Sequence, residues 1–135
     1  MLYFAYGSNL NHFQMKRRCK DSQFIKKINL KGYKLNFRSK YRAADIEKKN
    51  NSNVPGGLYE ISKSDEKKLD IYEDYPILYK KMYFKYYNNT VMTYIMPKKT
   101  IFRYPTERYL NVIKRGYKDC KLNKSYLVKA LNPQK

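Results

Sequence analysis

Histidine and cysteine are nearly missing from this chain: its 135 residues include one histidine, His12, and two cysteines, Cys19 and Cys120. Zinc and haem sites need closely spaced His or Cys ligands, so the sequence offers neither site. Both cysteines read as free thiols in a reducing compartment. Apolar runs of membrane-spanning length are absent, and the N-terminus lacks the basic region, apolar core and cleavage site of a signal peptide. A cytoplasmic location with no membrane partner is the resulting expectation. Neither GxGxxG nor GxxxxGKS/T occurs, which excludes a dinucleotide-binding strand–helix unit and a P-loop. No internal repeat and no linker interrupts the chain, and its length suits one domain, residues 1–135, around one core.

Acidic residues are scarce as well, 11 against 30 Lys and Arg, for a net charge of +19. The lysines are scattered through every segment instead of gathered in a tail. Lys, Asn, Tyr and Ile are abundant together, which reads as compositional bias and a solvated basic surface ahead of a dedicated nucleic-acid footprint. Either origin implies weak, salt-sensitive attraction to polyanions, with no specific nucleic acid as partner. With 42% hydrophobic and 16% aromatic residues, the chain is expected to fold despite a mean hydropathy of −0.87.

The chain is organised around Tyr3-Phe4-Ala5-Tyr6-Gly7-Ser8-Asn9-Leu10. Leu2 to Ala5 is short, apolar and aromatic, as a buried strand would be. Gly7 permits a sharp turn and a close approach by a ligand. Ser8 or Asn9 is placed to cap a helix beginning near His12. Such a junction serves as a plain turn or as a ligand loop, whose free N–H groups beside a helix N-terminus favour a carboxylate or phosphate.

Residues 22–38 read as extended, with Gly32 as a bend or bulge and Tyr33, Leu35 and Phe37 alternating with polar neighbours. Residues 42–47 suggest a short strand, 48–53 a polar loop, and 58–61 a strand entered through Pro55-Gly56-Gly57, whose glycines imply close packing or a bulge. Ser62 and Asp65 approximate a capping box, so a helix is expected over residues 63–72 or 63–73. Leu69, Tyr72 and Glu73 share its buried face, while Asp65, Asp70 and Asp74 point outward. A hairpin is expected over residues 79–96 with Asn88-Asn89 at its turn. Thr106 is placed to cap a helix bearing Tyr109, Leu110, Ile113 and Tyr117, and residues 123–131 form a last short helix. The element order gives an α+β domain.

The octet, the mid-chain segments Gly57-Leu58-Tyr59-Glu60-Ile61-Ser62 and Leu69-Asp70-Ile71-Tyr72-Glu73-Asp74-Tyr75-Pro76, and the later Pro105-Thr106-Glu107-Arg108-Tyr109-Leu110 together resemble the gamma-glutamylcyclotransferase-like (AIG2-like) family. The resemblance spans nearly the whole chain in the expected order. It implies a small mixed β-barrel flanked by helices. It also implies an enzyme that closes a γ-glutamyl group to 5-oxoproline and releases an amine or amino acid, its partner being that small molecule and no metal or organic cofactor being needed.

A carboxylate on a helix's apolar stripe, such as Glu73, is paired with a cation, turned to solvent at the helix end, or buried for proton transfer. The resemblance implies the third, with Glu73 as catalytic acid and base. It also implies that the substrate is bound by Tyr3, Phe4, Ala5, Tyr6, Gly7, Ser8 and Asn9, the loop amides holding an oxygen, and by Tyr109. Ser8 with His12 lacks a third residue to orient the imidazole, and Cys19 reads as a small core residue despite Arg17 and Arg18. Two alternatives stand beside the enzyme: a binding protein of the same fold without this chemistry or with a different small ligand, and a basic nucleic-acid-binding module.

Overall fold

The computed structural model describes residues 1–133. Its centre is the strand β1, Leu2–Ala5, whose Tyr3, Phe4 and Ala5 are all buried because the strand is covered on both faces. A single 3₁₀ turn, Ser8–Leu10, leads into helix α1, His12–Arg18. Asn11, not Ser8 or Asn9, caps α1 by accepting the Gln14 N–H at 3.0 Å. The side chains of Ser8 and Asn9 are engaged elsewhere, and the 3₁₀ turn puts the cap two residues beyond Asn9 while the helix begins at His12 as expected.

Strand β2, Gln23–Arg38, pairs antiparallel with β3, Ala43–Glu60. Residues 48–53, expected as a loop, lie within β3. The ladder holds on both sides of them, Tyr33 opposite Lys48 and Lys31 opposite Asn53, so the extra residues bulge opposite the single Gly32 at φ +82°. Their polarity marks exposure, not a break in the strand. Helix α2, Lys63–Tyr72, starts with a complete capping box between Ser62 and Asp65. That box corrects the expected outward position of Asp65: its carboxylate turns back to accept the Ser62 and Asp21 N–H groups and is buried.

Strands β4, Lys80–Tyr86, and β5, Asn89–Ile95, form the hairpin. Asn89 pairs with Tyr86, so the turn is Tyr87-Asn88, one residue earlier than expected. The register is set by alternation in β4, where Met82, Phe84 and Tyr86 pack against the core and Tyr83 and Lys85 are exposed, a pattern that a one-residue slip would turn over. Helix α3, Glu107–Asp119, is capped by Thr106 and buries Leu110, Ile113 and Tyr117. Helix α4, Ser125–Ala130, closes the described chain. No helix among the described residues is long and apolar enough to cross a membrane.

The sheet order is β2-β3-β1-β5-β4, with β1 antiparallel to β3 and parallel to β5. The architecture is therefore α+β, but the sheet is open, which corrects the expected barrel. The edge strands β2 and β4 meet only through side chains: Tyr33 donates to Met82 Sδ at 3.4 Å, and the Lys26 ammonium lies over Tyr86 at 5.2 Å. Closure needs a continuous backbone ladder in matched register, and β4 has such a ladder only with β5.

Gly56 shows how tightly the centre of the sheet is packed. A Cβ there would lie 2.4 Å from both the Ala5 carbonyl oxygen and the Phe4 ring. Gly56→Ala is expected to lower stability by about 3 kcal/mol, because backbone cannot yield as a side chain can. Thermal or urea unfolding measures it.

Candidate active site

The end of β1, the end of α2, the start of β3 and the start of α3 enclose a cavity of about 620 Å³. Its inner surface is tyrosine: Tyr3, Tyr6, Tyr79, Tyr94 and Tyr109. Tyr6 donates to the Tyr94 carbonyl at 2.6 Å and Tyr79 to the Ala44 carbonyl at 2.6 Å, so both of those protons are committed to backbone. Tyr109 instead accepts the Ala44 N–H at 3.0 Å, and Tyr3 accepts from Asn9 Nδ2 at 3.0 Å. The hydroxyl protons of Tyr3 and Tyr109 are thus left to donate into the cavity.

The Asn9 amide has only one workable orientation. Arg18, which can only donate, binds Asn9 Oδ1, leaving Nδ2 for Tyr3. The same guanidinium stacks on Tyr72, 3.3 Å from the ring centroid, and Tyr72 shares a 2.9 Å hydrogen bond with Ser8 Oγ. No backbone hydrogen bond among the described residues uses the N–H of Gly7, Ser8 or Asn9. A Cβ on Gly7 would stand 3.1 Å from Ala44 Cβ and 3.5 Å from the Tyr109 hydroxyl, filling the space before those amides.

Glu73 is the residue after α2, its N–H still bonded to the Leu69 carbonyl at 2.8 Å. Its side chain lines the cavity, and among the described residues its carboxylate meets no hydrogen-bond donor. Burial pushes its pKa up to about 8, with the Arg18 charge acting in the opposite direction. Burial, with the Glu73 charge adding to it, also raises Tyr3, Tyr6, Tyr79 and Tyr109, so these hydroxyls stay neutral over the physiological range. Among the described residues no group of three metal-ligating side chains forms.

Of the residues singled out from sequence, Tyr3, Tyr6, Gly7, Ser8, Asn9, Glu73 and Tyr109 come together here. Phe4 and Ala5 do not: Phe4 packs edge-on against Phe84 at 5.7 Å, and Ala5 is buried beside Gly57. His12 lies 3.4 Å from Cys120 Sγ instead of near Ser8, and burial pushes both thiols up to about 12. Tyr72, expected to be buried, is 42% exposed because its hydroxyl reaches over the Ser8 loop. Asp70, expected to face outward, accepts from Tyr94 at 2.6 Å and pairs with Lys81 at 3.1 Å, bracing the cavity wall. Sequence reasoning missed Arg18, Tyr79, Tyr94 and Ala44. Arg18 was visible as a basic group at a helix end, but nothing local ties it to Asn9 or Tyr72.

The sequence model for "Gamma-glutamyl cyclotransferase, AIG2-like" matches residues 3–116. The chain belongs to the gamma-glutamyl cyclotransferase, AIG2-like family. Among solved structures, a gamma-glutamyl cyclotransferase superposes with a TM-score of 0.78 at 25% identity, over 96% of this chain and 85% of the other. An uncharacterized human protein gives 0.76 at 25% identity over the same shares, 96% and 85%. YkqA from Bacillus subtilis gives 0.79 at 23% identity, over 98% of this chain and 54% of that one, which speaks for the fold alone. No curated protein matches. All four segments that carry the resemblance lie inside the stretch matched by the family, which begins at Tyr3.

A carboxyl group whose pKa is higher folded than unfolded binds its proton more tightly in the folded state. Glu73 therefore favours folding fully below its unfolded value near 4.5, and this contribution is lost as pH rises to about 8. Glu73→Gln is expected to gain stability over the wild type across that window, the difference levelling above it at on the order of 2 kcal/mol once water at the cavity mouth is allowed for. Melting curves from pH 4 to pH 9, roughly spanning the window, check the sign.

Proposed function

We propose that this protein cyclises a γ-glutamyl group to 5-oxoproline and releases the amine, with Glu73 moving the proton. The observation that carries this reading is the Glu73 carboxylate, raised to about 8 in a tyrosine-lined cavity and without a hydrogen-bond donor of its own. That value suits a group which must both accept a proton from an amine and return it near neutral pH.

The reacting atoms share one molecule, so the protein's task is to fold the substrate, move protons and stabilise charge. The α-ammonium loses one proton to solvent. The resulting amine attacks its own γ-carbonyl carbon, forming the ring C–N bond as Glu73 takes the second proton. The tetrahedral oxyanion is met by the free hydroxyl protons of Tyr3 and Tyr109 or by the unpaired amides of Gly7 and Ser8. Collapse breaks the bond to the leaving nitrogen, which receives the proton held on Glu73. No water is consumed.

The test is 5-oxoproline release from a panel of γ-glutamyl amides, wild type beside Glu73→Gln. The wild type is expected to release it and the variant to fall by about 10³-fold while still binding substrate. Equal release by both, or by neither, overturns the reading. For the wild type, kcat/KM rises with pH through about 8 as Glu73 becomes the base. Tyr109→Phe is expected to lower kcat about a hundredfold with a smaller change in KM, as loss of a transition-state donor does.

A further inference from the structure

The cavity changes chemistry with depth. At its floor, Tyr3, Tyr6, Asn9 and Tyr79 are buried and offer hydroxyl and amide groups. At its rim, Tyr41, Ala43, Ile71 and Leu78 present carbon, and Ile71 is 81% exposed with nothing packed over it. An isolated exposed isoleucine needs no explanation, but here four residues that present carbon line one opening.

Charge sharpens the contrast. Lys and Arg make up 30 of the 135 residues, yet among the described residues none lines this cavity. The cations nearby are occupied: Arg18 stacks behind Tyr72, the Arg42 guanidinium is held at 2.6 Å by the Tyr104 carbonyl, and Lys40 sits over the Tyr41 ring at 5.2 Å. The charged groups that do line it, Glu73 and Asp74, are acidic. Among the described residues no Lys or Arg lines the opening to receive an anionic substituent and two carboxyl groups do line it, whereas an apolar substituent would bury carbon against carbon.

Building on the cyclotransferase reading, we propose that the substrates are γ-glutamyl compounds whose leaving nitrogen carries an apolar, aliphatic or aromatic, substituent, selected by Tyr41, Ile71 and Leu78. Selection acts on the leaving half alone, because the polar floor takes the γ-glutamyl half common to every member of the class.

The test compares kcat/KM for γ-glutamyl-leucine, γ-glutamyl-phenylalanine, γ-glutamyl-glycine, γ-glutamyl-glutamate and γ-glutamyl-lysine linked through the α-amine. All five share the same second carboxylate, so their ratios isolate the side chain. Leucine and phenylalanine are expected to exceed glycine by about tenfold, and glutamate by more. Ile71→Asp and Tyr41→Ser, both at exposed positions, are expected to cut the leucine-to-glycine ratio by about fivefold. Val128→Asp, on the exposed face of α4, should leave that ratio as it is. Flat ratios, or a preference for glutamate or lysine, overturn the inference while the cyclotransferase reading survives. Silence across the whole panel removes both.

Discussion

Everything at the site depends on β1 lying in the middle of the sheet, antiparallel to β3 on one side and parallel to β5 on the other. This double pairing fixes where the strand stops, and Gly7, Ser8 and Asn9 follow at once in a turn where their three amides have no backbone partner among the described residues. Close packing makes the pairing unforgiving, since Gly56 of β3 leaves no room for even a methyl group against Ala5 and Phe4. Because β5 is the other neighbour of β1, Thr93 and Tyr94 stand beside the same turn, and Thr93 donates to the Phe4 carbonyl at 2.8 Å. One short strand therefore brings distant parts of the chain to one cavity.

The Ala44 peptide performs a similar service at the cavity's other wall. Its N–H is accepted by Tyr109 of α3 and its carbonyl accepts from Tyr79, so β3, α3 and the segment before β4 are tied through two hydroxyl groups. Next to it, Asp45 is fully buried against Arg38, Lys99 and the Met96 N–H, anchoring the turn after β2 and the segment after β5. Removing one partner of such a buried group would leave its charge uncompensated. Glu73 is the contrasting case in the same neighbourhood. Among the described residues it has no donor, and desolvation raises its proton affinity toward neutrality, while Arg18 limits the rise.

Several features were legible from local pattern. The apolar run ending in Gly-Ser-Asn, the Ser62–Asp65 capping box, the bulge at Gly32 and the Thr106 cap each depend on residues a few positions apart, and each appears in the structure. The errors had a common origin. Residues 48–53 were polar enough for a loop, but their ends pair with Tyr33 and Lys31 of β2 and the residues between them form a bulge within the strand. Asp65 and Asp70 fall outside the apolar stripe of α2, but partners on other elements, Asp21, Tyr94 and Lys81, draw them in. The hairpin turn moved by one residue because alternation in β4, with Met82, Phe84 and Tyr86 turned to the core, decides its register, not the preference of Asn88-Asn89.

The sequence by itself determined the α+β order of elements, the family through its spaced segments, and the residue types in the ligand loop and at the end of α2. These follow from short-range stereochemistry, where capping, turns and periodic burial act within a few residues. Tertiary structure alone decided that the sheet stays open, that Phe4 and Ala5 serve the core while Tyr79, Tyr94 and Ala44 shape the cavity, and that Arg18 reaches Asn9 and Tyr72. It also decided the depth at which Glu73 sits. Sheet closure, hydroxyl partners and desolvation all arise from groups brought together across the chain, and no local pattern encodes them.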